Sequence, residues 1–314
     1  MAFDHKHLID LAEYSPDDIM QILETAKTFM AVNERKIKKV PLLRGVTVVN
    51  MLNEPSTRTR SSFELAEKRL SCDLLNFGGK STSAVKGESL ADTVETLNSY
   101  KIDLVVVRDK HAGVPHFITQ HTPASVIDAG DGKHQHPTQA LLDLFSIWRS
   151  KGAIDGLHVG LVGDIGHSRV CGSLIPALKI MGNEVTVIAP QTLLPARPDV
   201  LGADHVTADL DAALPELDVV YMLRVQNERL EGAPFPNARE YNMLFGLTRE
   251  REPLMRPDAV ICHPGPINRG VELDSYMADH PQRSLILDQV YSGICVRMAA
   301  MYLLLGGSDN DATA

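Results

Sequence analysis

Short apolar runs rich in β-branched residues alternate with helix-patterned stretches along most of the chain, and this alternation restricts the fold more than any other feature. Strand-like runs fall at 46–52, 73–77, 104–107 and 125–128, with helical stretches between them. A longer helix is predicted over 137–150, where Leu141, Leu142, Leu144, Phe145 and Trp148 recur. The alternation restarts after Lys151-Gly152, with strands near 158–162, 184–188, 218–222 and 259–262 and a final apolar helix over about 292–305. Repeated strand–helix alternation predicts parallel sheets covered by helices on both faces. The fold class expected is therefore α/β, with two doubly wound parallel-sheet domains joined by helices. The division expected is 1–150, with 290–306 packing back on it, then 151–289, and a disordered tail over 307–314. Ligands of such folds sit beyond the carboxyl ends of strands, which directs attention to the polar segments there.

The segment Asn53-Glu54-Pro55-Ser56-Thr57-Arg58-Thr59-Arg60 follows the first strand, and Phe63, Leu65, Ala66 and Leu70 then recur at helical spacing. Ser56 stands at the entry as a helix cap. A helix start offers unpaired N–H groups and a partial positive charge, and so attracts anions. Arginines oppose that dipole, so Arg58 and Arg60 in a first turn point to a bound anion rather than to a solvated end. Hydroxyls of Ser56, Thr57 and Thr59 add donors, and a guanidinium fork matches phosphate oxygens.

The charge balance decides how local such a site must be. The net charge of -9 argues against broad binding to nucleic acid or to an anionic membrane. No apolar run reaches the ~18 residues of a spanning helix, and the N-terminus shows no apolar signal segment. Cys72, Cys171, Cys262 and Cys295 lie far apart and form no Cys-x-x-Cys pair, the pattern of reduced thiols in a cytoplasmic protein.

Other polar groups follow strands. Arg108 comes directly after Leu104–Val107; beside Asp109 and Lys110 it reads equally as an edge charge. His136 and Gln139 fall just before and just within a helix start. A metal reading of His134 and His136 lacks a nearby cysteine or carboxylate set. Gly79-Lys80-Ser81 has the ending of a nucleotide phosphate loop, but Leu74 occupies the required glycine position. Gly163-Asp164-Ile165-Gly166 lacks the third glycine of a dinucleotide fingerprint. Arg169 opens a helix, Arg224 and Gln226 lie beyond a strand, and His263-Pro264-Gly265-Pro266 ends another with stiff prolines. Arginines at four strand ends predict a small polyanionic ligand.

With Ser56-Thr57-Arg58-Thr59, Lys86-Gly87-Glu88, His136-Pro137-Thr138-Gln139, Met222-Leu223-Arg224-Val225-Gln226 and His263-Pro264-Gly265-Pro266, the chain resembles the catalytic chains of the aspartate carbamoyltransferase family over nearly its whole length. Two departures are Leu52, where the family has phenylalanine, and a catalytic loop in which Thr82 and Ser83 compete for the serine position, Ser83 being favoured.

The resemblance implies that Ser56, Thr57, Arg58, Thr59 and Arg108 hold the phosphate of carbamoyl phosphate. Thr59, Arg108 and His136 polarise its carbonyl, and Gln139, Pro264, Gly265 and Pro266 hold its amide end. Arg169, Arg224, Gln226 and Lys86 take aspartate. Ser83 and Lys86 are expected to reach a neighbouring subunit's site in a homotrimer, placing the active site in the interdomain cleft and at the subunit interface. No metal or organic cofactor is implied. The family also includes assemblies with regulatory chains or dihydroorotase, and the residues do not choose among these. Ornithine as acceptor would need an acid where Arg224 and Arg169 stand, and a non-catalytic relative would be expected to lose Arg58, Lys86 or His136.

Overall fold

The computed structural model describes residues 3–77, 88–225 and 237–306. The chain divides into two compact units, Met1–Phe145 with Tyr291–Ala314, and Ser146–Val290.

In the first unit α1 (Pro16–Glu34) begins with a capping box between Ser15 and Asp18. Then come β1 (Thr47–Leu52), α2 (Thr57–Leu70), β2 (Asp73–Phe77), α3 (Leu90–Ser99), β3 (Leu104–Asp109), α4 (Val114–Thr119), β4 (Ser125–Asp131) and α5 (Pro137–Lys151). The sheet order is β2-β1-β3-β4 and every pairing is parallel. Residues of β1, β3 and β4 are buried throughout, except for the first of β1, whereas β2 at the edge is largely exposed. One core cluster packs Val49, Val105, Val107 and Val126 against Val94, Leu97 and Ile118. Parallel strands put all their carboxyl ends on one edge, so the segments after β1, β3 and β4 are neighbours.

The chain enters the second unit within α5. It continues through β5 (His158–Val162), α6 (Arg169–Ile180), β6 (Glu184–Ile188), β7 (His205–Thr207), α7 (Leu210–Ala213), β8 (Val219–Met222), α8 (Ala238–Phe245), β9 (Val260–Cys262), α9 (Ser275–Ala278) and α10 (Ile286–Leu304). This sheet is also all parallel, in the order β7-β6-β5-β8-β9. The chain returns to the first unit within α10, at Tyr291.

The eight strands read from sequence are all present. The structure adds β7, and α10 starts six residues before the expected 292. β7 has three residues on the sheet edge, mostly exposed, so it lacks the apolar run that marks a buried strand. The opening of α10 holds polar residues and Leu287, which is 82% exposed, so its periodicity is hidden there. Residues 307–314 lie outside the described residues, as does the expectation of disorder there.

Candidate active site

Ser56 caps α2: its extended backbone leaves the helix, and its Oγ accepts from the Thr59 N–H at 3.3 Å. The same hydroxyl donates to Thr59 Oγ1 at 2.9 Å. No acidic residue occupies this first turn; Arg58 and Arg60 stand exposed there. Thr59 is buried and also accepts from Arg108 Nη1 at 3.4 Å. With both acceptor positions used, the Thr59 proton is left to point elsewhere.

Arg108 is buried near the end of β3, where the register against β4 shifts between Val107 and Asp109. That shift is a local break in the β3–β4 ladder. Its guanidinium donates to the Ala129 carbonyl at 3.0 Å and pairs with Glu54 at 3.2 Å. Thus the edge-charge reading gives way: Arg108 ties the ends of β1, β3 and β4 together at the start of α2.

Beyond β4 the chain folds back through a tight turn, with Asp131 N–H on the Gln135 carbonyl and His134 N–H on that of Asp131. Asp131 also holds His134 Nδ1 at 3.0 Å, leaving that ring exposed, while His136 is buried at the mouth of α5. The two histidines therefore have different surroundings. Among the described residues no group of three or more His, Cys, Asp or Glu is placed to hold a metal. Gln139, in the first turn of α5, donates through Nε2 to Asp143 Oδ1 at 2.9 Å.

Deeper in this unit Arg297 of α10 lies 4.8 Å over the Phe63 ring. Burial, aided by the charge of Arg108 and opposed by Asp143, pushes its pKa down to about 9. Gly293 makes room for it, since a Cβ there would stand 2.5 Å from Arg297 Nη1. Sequence reading passed over Glu54, Asp143 and Arg297. Only the Gln139–Asp143 spacing of four on one helix was available as a signal.

In the second unit Arg169 is buried at the first position of α6, after β5, and Arg224 follows β8. β5 and β8 are paired, so both arginines belong to one sheet edge. Gly163 keeps that edge tight: with φ of +123°, a Cβ there would lie 2.9 Å from both the Leu223 carbonyl and the Tyr241 hydroxyl. Burial, with the charges of Glu272 and Asp164, pushes the Tyr241 hydroxyl pKa up, so it stays neutral.

After β9, His263 Nδ1 accepts from the Gly265 N–H at 2.8 Å, which leaves Nε2 to donate to Glu272 at 3.2 Å. Glu272 Oε1 also accepts from the Asn268 N–H at 2.6 Å. These bonds hold Pro264, Gly265 and Pro266 in a fixed turn, with Gly265 at φ of +64°. Ser83, Lys86 and Gln226 lie outside the described residues.

Residues 6–149 match the carbamoyl-P binding domain of aspartate/ornithine carbamoyltransferases, and residues 155–304 match their Asp/Orn binding domain. The catalytic subunit of aspartate carbamoyltransferase from Syntrophotalea carbinolica is 49% identical, covering 100% of both chains. The corresponding subunit from Sorangium cellulosum is 50% identical over 96% of this chain and 94% of its own. Among solved structures, Trypanosoma cruzi aspartate transcarbamoylase in complex with carbamoyl phosphate superposes with a TM-score of 0.87 at 29% identity, covering 96% of each chain. Ornithine carbamoyltransferase from Pyrococcus furiosus superposes at 0.85 with 27% identity, covering 98% of this chain and 100% of its own. The chain belongs to the aspartate/ornithine carbamoyltransferase family.

Proposed function

We propose that this protein transfers the carbamoyl group of carbamoyl phosphate to L-aspartate, giving N-carbamoyl-L-aspartate and phosphate, the second step of de novo pyrimidine biosynthesis. The observation that carries the reading is the start of α2, where a capped helix end, the Thr59 hydroxyl and the Arg108 guanidinium converge without an acidic residue in the first turn. Such a cradle suits a phosphate dianion.

Ser56, Thr57, Arg58, Thr59 and Arg108 bind the phosphate. Thr59, Arg108 and His136 donate to the carbonyl oxygen, with Gln139, Pro264, Gly265 and Pro266 at the amide end. The aspartate amine attacks the carbamoyl carbon, the bond from that carbon to the bridging phosphate oxygen breaks, and the proton released from the attacking nitrogen passes to the departing phosphate. The fixed donors stabilise charge on the carbonyl oxygen and on departing phosphate. The cations at the β5–β8 edge, Arg169 and Arg224, favour a dicarboxylate acceptor; Gln226 and Lys86 complete its binding. The chain works as a homotrimer in the cytoplasm, with Ser83 and Lys86 given to a neighbouring subunit's site.

The test is a product assay with carbamoyl phosphate and either aspartate or ornithine. Carbamoyl aspartate alone is expected. Product from ornithine would overturn the role of Arg224, and product from neither would overturn the activity of the chain by itself.

A further inference from the structure

Gln139 and Asp143 sit one turn apart on α5. Asp143 is fully buried, Gln139 is 9% exposed, and Nε2 of the amide donates to Oδ1 of the carboxylate at 2.9 Å. A carboxylate can only accept hydrogen bonds, so the amide must turn its nitrogen toward Asp143. Its oxygen then faces the other way, and among the described residues no hydrogen bond to Gln139 Oε1 is found. Arg297, buried over Phe63 and within electrostatic reach of Asp143, gives the carboxylate its countercharge. An isolated glutamine presents a donor and an acceptor in either order; this one presents an oxygen.

We propose that Asp143 is a positioning residue that fixes the Gln139 amide with its oxygen outward, so that the site selects an acyl phosphate bearing N–H donors over one bearing a methyl group. The assignment rests on Gln139 lying at the amide end of carbamoyl phosphate. A missing hydrogen-bond partner at a buried polar group is costly, which is how such an oxygen discriminates.

Equilibrium binding to the purified full chain tests it, with carbamoyl phosphate, acetyl phosphate and inorganic phosphate as probes. The wild-type chain is expected to prefer carbamoyl over acetyl phosphate. Asp143→Asn can donate to the Gln139 oxygen and turn the amide over. It is expected to reduce that preference on the order of tenfold, with inorganic phosphate bound as before. The exchanged pair Gln139→Glu with Asp143→Asn again leaves an oxygen outward, and is expected to regain most of the preference. A merely structural role predicts no such recovery.

An unchanged preference in Asp143→Asn, an equal loss of inorganic phosphate binding, or no recovery in the exchanged pair overturns the assignment. If Asp143→Asn lacks a native melting transition, Gln139→Met decides in its place, and retained preference there overturns it. Absence of any preference in the wild-type chain would instead overturn the substrate reading on which the assignment rests.

Discussion

Glu67 illustrates what a single residue can do when a helix packs it against a sheet. It is fully buried on α2 and accepts from Asn50 Nδ2 on β1 at 3.1 Å. Asn50 Nδ2 also reaches Asn76 on β2 at 3.2 Å. Burial pushes the Glu67 carboxyl up to about 7, with nearby Glu64 adding to the rise and the Asn50 bond and Lys68 opposing it. The folded protein then holds this proton more tightly than the unfolded chain. Its stabilising contribution is complete below the unfolded value of about 4.5 and is lost as pH rises toward 7. Glu67→Gln is expected to melt higher than wild type above pH 7, by up to ~3 kcal/mol, with the gap closing toward pH 5. Thermal melts across that range measure it. At the same scale, Arg58 stood out in the sequence as a candidate anion ligand because it opposes the helix dipole. Glu67 was not, because a glutamate on a helix ordinarily faces water.

The elements set the strength of the site through their ends. Loss of the Ser56 side chain removes both a cap on α2 and a donor to Thr59. Ser56→Ala is expected to cost about 1 kcal/mol of stability, read by denaturant titration, and to weaken inorganic phosphate binding in parallel. α10 acts through its interior. Gly293→Ala would place a methyl group against Arg297 Nη1 and toward Leu142, whose Cδ2 would lie 3.2 Å away. The clash falls on the tip of a flexible side chain, and alanine is favoured over glycine inside a helix by about 1 kcal/mol. The denaturation midpoint is therefore expected to move little while Arg297 is displaced from the Phe63 ring. The start of α2 was readable from cap, proline and hydroxyls alone. The use of Gly293 was not: Arg297 stands one turn on along α10, but its folding back over Gly293, with Leu142 of α5 alongside, is set by tertiary packing.

For the molecule as a whole, the proposed trimer gives a mass three times the chain's 34.4 kDa, to be measured by sedimentation. Because Ser83 and Lys86 are assigned to a neighbour's site, specific activity is expected to fall on dilution below the assembly threshold. Activity independent of concentration in a monomer would overturn that assignment. No disulfide joins any of the four cysteines, and burial pushes the thiols of Cys72 and Cys171 up to about 12. Slow reaction with an alkylating thiol reagent at pH 7, accelerated by denaturant, is the expected outcome. Among the described residues no helix is long and apolar enough to cross a membrane.

The sequence by itself determined two parallel sheets, because their buried strands read as continuous apolar runs and need no partner to be recognised. It also determined the capped, acid-free start of α2 and the arginines beyond strands, since these signals lie within a few residues of one another. Tertiary structure alone decided what those groups touch. The bond from Arg108 to Thr59, the pairing with Glu54, and the seat of Arg297 between Phe63 and Asp143 join segments far apart in the chain. Strand order and register bring them together, and a local pattern carries no information about either.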